Sequence, residues 1–298
     1  MINALTIDVE DYFHVTAFEK YVKCEDWDVY PSRVENNTLK ILEMLDEFSV
    51  KATFFILGWV AERCPSVVKE IQKRGHEIAC HGYKHKLLYH IGPKNFRKDI
   101  RMAKMLLEDI CGKEINGYRA PSCSITEESM WALDILIEEG FTYDSSIFPI
   151  LHDIYGIPNA RRFPHEINRP SGVIKEFPMS TLEFRISDFG FRIPISGGGY
   201  LRLFPVCLIR KAINHINKSE GQPAVIYFHP WEIDHEQPRI RAGIRSRFRH
   251  YINLDKTVGK VKHLLSSFKF APVGQVLGID ECHQYFVPEG TILSEQNV

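Results

Sequence analysis

The chain of 298 residues is 44% hydrophobic and 25% charged, the make-up of a globular protein with enough length for a large core. Its 37 Lys and Arg meet 38 Asp and Glu for a net charge of −1, so nucleic acid is not expected as a partner. No stretch approaches the roughly 20 apolar residues of a membrane span, and MINALTIDVEDYF puts no basic segment ahead of an apolar one, so no secretory signal is read there.

In chain order, ALTID (4–8) reads as a buried strand ending in acidic residues. NNTLKILEMLDEFSV (36–50) is amphipathic, with Leu39, Leu42, Leu45 and Phe48 on one face. KATFFILG (51–58) is a second strand closed by Gly58. CPSVVKEIQKRG (64–75) is a helix with Ser66 as its expected cap and Gly75 as its stop. HEIACH (76–81) is a third strand, PKNFRKDIRMAKMLLEDICG (93–112) a long helix and INGYRAP (115–121) a fourth strand. TEESMWALDILIEEG (126–140) opens on a capping-box-like neighbourhood at Thr126, and FTYDSS (141–146) is a fifth strand. The rhythm breaks between about 150 and 203, rich in Pro, Gly and turn residues, which reads as a long irregular insertion. FPVCLIRKAINHINKSEG (204–221) is a helix, PAVIYFHPWEID (223–234) a sixth strand and DKTVGKVKHLLSSF (255–268) the last helix.

Strands alternating with helices predict a parallel sheet with helices packed outside it. Length alone would suggest about two domains, but a single (β/α) barrel of about 250 residues also fits. One domain over 1–298 is the simplest reading, with a C-terminal extension from about 235. The seven cysteines (24, 64, 80, 111, 123, 207 and 282) are scattered without a CxxC pair. They suit a reducing compartment, so a cytoplasmic protein, peripheral to a membrane at most, is expected. Oligomerisation of like chains is left open.

In such a barrel reactive residues sit where strands end. Here Asp8, Glu10 and Asp11 follow the first strand, His81 and His85 the third, Arg119 and Pro121 the fourth, Asp144 the fifth and His229 the sixth. Two imidazoles one helical turn apart can grip one divalent metal, a carboxylate supplying a third ligand and open positions taking water and substrate. Read singly, each has a plainer account: a buried core histidine, an acidic helix cap, a structural ion pair. Their convergence on one rim favours a site.

TIDVEDYF, HGYKH, RAPS, YDSS and YFHP, in this order, resemble the five motifs of the polysaccharide deacetylases, carbohydrate esterase family four, or NodB-homology domain. DVEDYFHV, SGGGYLRLFP and YFHPWEIDHEQPR further resemble a subgroup encoded with exosortase and exopolysaccharide gene clusters. The resemblance implies a distorted (β/α) barrel and a hydrolase that removes N-acetyl groups from a glycan. It implies Asp8 as general base, Arg119 as its partner, His229 as general acid and Asp144 as the group orienting it. His81 and His85 would bind the metal. Val9 stands where the family's second aspartate is usual, so Glu10 becomes the preferred third ligand and Asp11 the alternative. Ser122 stands where many members have Tyr, in a place associated with a backbone N–H donor. Two histidines and a carboxylate suit zinc, and also cobalt, nickel or iron.

Tyr155, Tyr200 and Trp231 are candidates for stacking on sugar rings, and Gly197, Gly198 and Gly199 permit close backbone approach. The arginines at 239, 241, 245, 247 and 249 could meet an anionic glycan, a lipid-linked pyrophosphate or a membrane, although a solvated face is the favoured reading. Rival functions are an allantoinase-like hydrolase of a non-sugar amide, since fold does not set substrate, and a non-catalytic glycan-binding protein.

Overall fold

The computed structural model describes residues 1–152, 154–186 and 189–279, so Cys282 and the end of the expected C-terminal extension lie outside the described residues. The elements are β1 (Ile2–Val9), α1 (Val34–Glu47), β2 (Thr53–Ile56), α2 (Gly58–Arg63), α3 (Pro65–Lys73), β3 (Glu77–Cys80), α4 (Leu88–Cys111), β4 (Gly117–Tyr118), α5 (Trp131–Glu138), β5 (Tyr143–Asp144), β6 (His165–Arg169) and β7 (Gly172–Glu176). They continue with β8 (Thr181–Ile186), β9 (Phe189–Pro194), α6 (Gly199–Leu203), α7 (Val206–Lys218), β10 (Val225–Phe228), α8 (Ile244–Tyr251), α9 (Leu254–Ser267), β11 (Lys269–Ala271) and α10 (Val273–Val276).

Alternation along β1 sets the architecture. Leu5, Ile7 and Val9 join the core under the helices, whereas Ala4 joins a second apolar cluster with Phe55, Ala79, Tyr143, Phe177 and Val225. A strand apolar on both faces belongs in a parallel sheet covered on both sides. Period two then puts Thr6 and Asp8 on the side of Ala4, so polar groups enter the inner face only towards the end of the strand.

The main sheet runs β10–β1–β2–β3–β4–β5–β7–β6, with β11 pairing the start of β1. All pairings in it are parallel except the β6–β7 hairpin. The fold is mixed α/β, as expected, but the strand ladder does not close into a barrel. Between β7 and β10 the gap is crossed by a few isolated bonds, from Ile195 N–H to Ser180 O (3.1 Å), Val225 N–H to Ser180 Oγ (2.8 Å), Tyr227 N–H to Ser196 O (2.7 Å) and Gly198 N–H to Tyr227 O (3.2 Å).

Several local expectations change. The segment 150–203 is irregular only in its first part, the described residues up to 164; it then holds β6 to β9, of which β6 and β7 extend the main sheet. Ser66 does not cap α3; its hydroxyl donates to Glu35 instead (2.9 Å). The long helix starts at Pro93 as expected, but a short helical turn from Leu88 precedes it, the two joined at a kink where Gly92 has φ 69°. Thr126 does form a capping box, with Ser129. The six cysteines among the described residues are free thiols, and burial pushes those of Cys80 and Cys123 up to about 12. No helix among the described residues is long and apolar enough to cross a membrane.

Candidate metal and catalytic site

Parallel register brings the strand ends to one rim: Asp8 pairs across to Phe55 on β2, Cys80 to Tyr118, Tyr118 to Asp144, and Ile7 to Phe228. The next residue in three of these strands is His81, Arg119 or His229. Side chains over a hundred residues apart in sequence therefore meet.

His81 and His85 follow β3, as expected, on a loop that leads to α4. Gly82 turns it with φ 72°, Asp99 accepts the amide N–H of Tyr83 (2.7 Å) and Lys84 (3.3 Å), and His85 sits at φ 49°. His81 Nδ1–H donates to Arg119 O (2.8 Å), which leaves Nε2 with its lone pair. Burial lowers the His81 pKa to about 4, so the ring is neutral and fit for ligation.

One ligand atom each from Glu10, His81 and His85 lies within 4.8 Å of the others, and all three residues are buried. Glu10 Oε2 sits 2.9 Å from His85 Nε2, yet accepts no hydrogen bond. Burial works against the charge on Glu10, but His85 and His229 hold its pKa well below the carboxylate range. A buried, charged oxygen without a donor, facing two imidazoles, fits a divalent cation. Asp11, the alternative ligand, is engaged elsewhere. Its Oδ2 takes the N–H of Arg33 (2.7 Å) and Val34 (3.0 Å) at the start of α1 and the Ser32 hydroxyl (2.8 Å), while Oδ1 takes the N–H of Tyr12 (2.9 Å). It anchors a helix N-terminus, where a carboxylate is favoured.

Asp8 is buried beside this trio. Arg119 Nη1 donates to its Oδ1 (2.7 Å) and to Thr6 Oγ1 (2.6 Å). The guanidinium also donates to Ser145 O and Ser145 Oγ (2.9 Å each) and lies 4.2 Å over the Phe55 ring. Four of the five Arg119 N–H donors are thus engaged, and Asp8 Oδ2 is left facing His229 Nε2 at 3.9 Å.

His229 Nδ1 is bonded to Glu232 Oε2 (2.9 Å), which also accepts the His229 N–H (3.0 Å). Burial opposes the imidazolium, but Glu232, Glu10 and Asp8 outweigh it and raise the pKa to about 9. Arg202 Nε donates to the other Glu232 oxygen (2.6 Å). Asp144, expected to orient His229, is bonded instead to Ser146 Oγ (2.5 Å) and Ser146 N–H (3.2 Å) and lies beside buried Glu176. Glu232 and Arg202 were the residues sequence reading missed. The available signal was HPWE, in which Pro follows a cap and Glu stands three residues after it.

The remaining expected residues divide. Ser122 bonds Thr16 through its hydroxyl (2.6 Å), and both it and Cys123 take left-handed φ, 52° and 51°, on a tight turn after Pro121. Tyr155 and Tyr200 are half-buried neighbours, hydroxyls 3.5 Å apart, with Tyr155 stacked on His152 (3.9 Å). Trp231 is no sugar platform: it is 4% exposed, sandwiched between His229 (5.2 Å) and His250 (4.1 Å), and donates its indole N–H to Glu10 Oε1 (3.2 Å).

Residues 26–141 match the family model described as polysaccharide deacetylase, and residues 145–278 match a domain of unknown function (DUF3473). A peptidoglycan-N-acetylglucosamine deacetylase of Bacillus cereus is 37% identical over 98 residues, 33% of this chain and 36% of that protein. A chitooligosaccharide deacetylase of Azorhizobium caulinodans is 35% identical over 85 residues, 28% of this chain and 40% of that protein. The chain thus matches less than half the length of either relative. Among solved structures, a candidate polysaccharide deacetylase from Mycobacterium smegmatis superposes with TM-score 0.61 at 21% identity, covering 93% of this chain and 88% of that one. Puue allantoinase superposes with TM-score 0.60 at 13% identity, covering 93% and 89%. These two likenesses show the shared fold.

Proposed function

We propose that this chain, which belongs to the polysaccharide deacetylase family through residues 26–141, hydrolyses N-acetyl groups on an amino-sugar-containing glycan to release acetate. The observation that carries the reading is one buried group of Glu10, His81 and His85 beside an arginine-held Asp8 and a carboxylate-held His229. An exopolysaccharide or its precursor is the substrate class that the SGGGYLRLFP and YFHPWEIDHEQPR strings favour.

Glu10, His81 and His85 would hold a divalent ion, zinc by ligand type, leaving coordination positions open. When bound, that ion supplies a Lewis acid for the acetamide carbonyl and brings a water towards neutral pKa. Asp8 is the general base: with Oδ1 held by Arg119, Oδ2 takes the proton of the attacking water. The water oxygen bonds to the acetyl carbon, and a backbone N–H of the Ser122 turn stabilises the developing oxyanion. His229, protonated at neutral pH, gives its Nε2 proton to the departing nitrogen as the C–N bond breaks. Glu232 holds that ring by Nδ1, so Nε2 faces the site. Tyr155 and Tyr200 line the approach for the sugar.

Acetate release from N-acetylated chito-oligosaccharides, assayed before and after chelation, tests the proposal. Asp8→Asn and His229→Ala are expected to retain metal and fold while losing about a hundredfold or more in kcat. Full activity of His81→Ala after chelation and dialysis would overturn the ligand assignment. Hydrolysis of cyclic ureides with no acetate release would favour the allantoinase-like alternative instead.

A further inference from the structure

We infer that the outer face of α8 is a docking surface for an anionic phospholipid bilayer. From Gln237 to Leu254 the chain has five arginines and no acidic residue, within a protein of net charge −1. Arg241, Arg245, Arg247 and Arg249 are exposed, and no carboxylate among the described residues forms an ion pair with them. The same face carries two large apolar side chains, Ile244 at 87% exposure and Phe248 at 61%. Separated by four residues, they adjoin on the helix surface, with Arg245 and Arg249 along one flank and Arg247 on the other. Tyr21, 47% exposed, accepts the N–H of Gly243 at the head of the helix (3.0 Å) and widens the patch with an aromatic ring carrying a polar tip.

Charge decides the occupant. An acidic glycan or nucleic acid would use the arginines but leave Ile244 and Phe248 in water. A bilayer with anionic headgroups takes both, the cations at the headgroups and the apolar pair at the acyl boundary. Two such side chains make a weak, reversible anchor that needs the arginines as its second signal.

The inner face of the same helix touches the site wall. His250, 2% exposed, stacks on Trp231 (4.1 Å), whose N–H reaches Glu10. Docking would therefore set the rim beside the membrane, and under the deacetylase reading the glycan would be lipid-anchored. The docking itself does not depend on that reading.

The test is co-sedimentation of the full chain with vesicles of phosphatidylcholine alone, or with about one-third phosphatidylglycerol. Wild type is expected to sediment with the anionic vesicles only, and less as salt rises. Ile244→Ser/Phe248→Ser and Arg245→Gln/Arg247→Gln should each weaken that binding about tenfold or more, with acetate release from soluble chito-oligosaccharides unchanged. Absence of sedimentation, equal sedimentation with both vesicle types, or variants that bind like wild type would each overturn the inference. So would retention of an anionic polysaccharide by wild type and Ile244→Ser/Phe248→Ser alike without vesicle binding, which would assign the arginines to a soluble glycan.

Discussion

Glu232 shows how a single side chain can serve two purposes. As the third residue of a capped turn it receives the His229 backbone N–H, and with the same oxygen it holds the imidazole. Glu232→Gln keeps the shape but removes the charge that holds the ring as imidazolium. A fall in kcat of roughly tenfold to a hundredfold is expected, with KM and metal content little changed. Asp144→Asn leaves the His229 bond intact, so its loss of kcat should be the smaller; the reverse ranking would restore Asp144 to the orienting role. A second residue-scale test lies away from the site. His76 is buried, accepts the N–H of Ala52 through Nδ1 (3.2 Å), and has a pKa lowered by burial to about 4. Below about pH 6.5 the unfolded chain binds this proton and the folded chain does not, so acid withdraws stability until pH reaches about 4. The stability advantage of wild type over His76→Gln, read from urea midpoints, should therefore shrink from pH 7 to pH 4.5. A constant gap would mean that His76 titrates normally.

Elements differ in how much of their shape their residues announce. The first five strands and the helices between them were legible because apolar periods of two and 3.6 reflect burial of the elements that carry them. The rim residues were legible for the same reason, since a polar group directly after a buried strand must lie at its end. The strands of 150–203 were not, because HEINRPSGVIKE is short, polar and half-exposed, and its pairing to β5 is made by distant chain. Nor could the spacing of His81 and His85 reveal that a loop, tied by Asp99, brings them together. Of the glycines after β9, Gly197 and Gly198 make the close approach that the sequence reading allowed, and Gly199 does not. Gly197 bridges to Tyr227 at φ 153°, and a Cβ there would stand 1.8 Å from Tyr227 O. Gly199 has only Arg202 within reach, at 3.9 Å. Gly197→Ala should cost about 3 kcal/mol or more, and Gly199→Ala about 1 kcal/mol or less. Equal melting temperatures for the two variants would show that this segment does not bridge the sheet as described.

At the scale of the whole molecule, the metal trio ties the end of β1 to the β3–α4 loop across a sheet whose ladder stays open. One of the three groups, His81, is a neutral ring, and another is a buried carboxylate whose Oε2 accepts no hydrogen bond. An ion that binds this arrangement and not the unfolded chain adds stability by mass action, about 2.7 kcal/mol at a hundredfold excess over Kd. For a chain of this size that is a rise of roughly 4 °C in melting temperature. Zinc should produce the rise in chelator-treated protein, and fresh chelator should reverse it. Glu10→Gln and His85→Ala should abolish it, since each removes one of three ligands, while Asp8→Asn should keep it, because Asp8 is bonded to Arg119 and stands outside the trio. The pattern across the three variants separates a metal site from general stabilisation: a shift retained by Glu10→Gln, or lost in Asp8→Asn alone, would place the ion elsewhere on the rim.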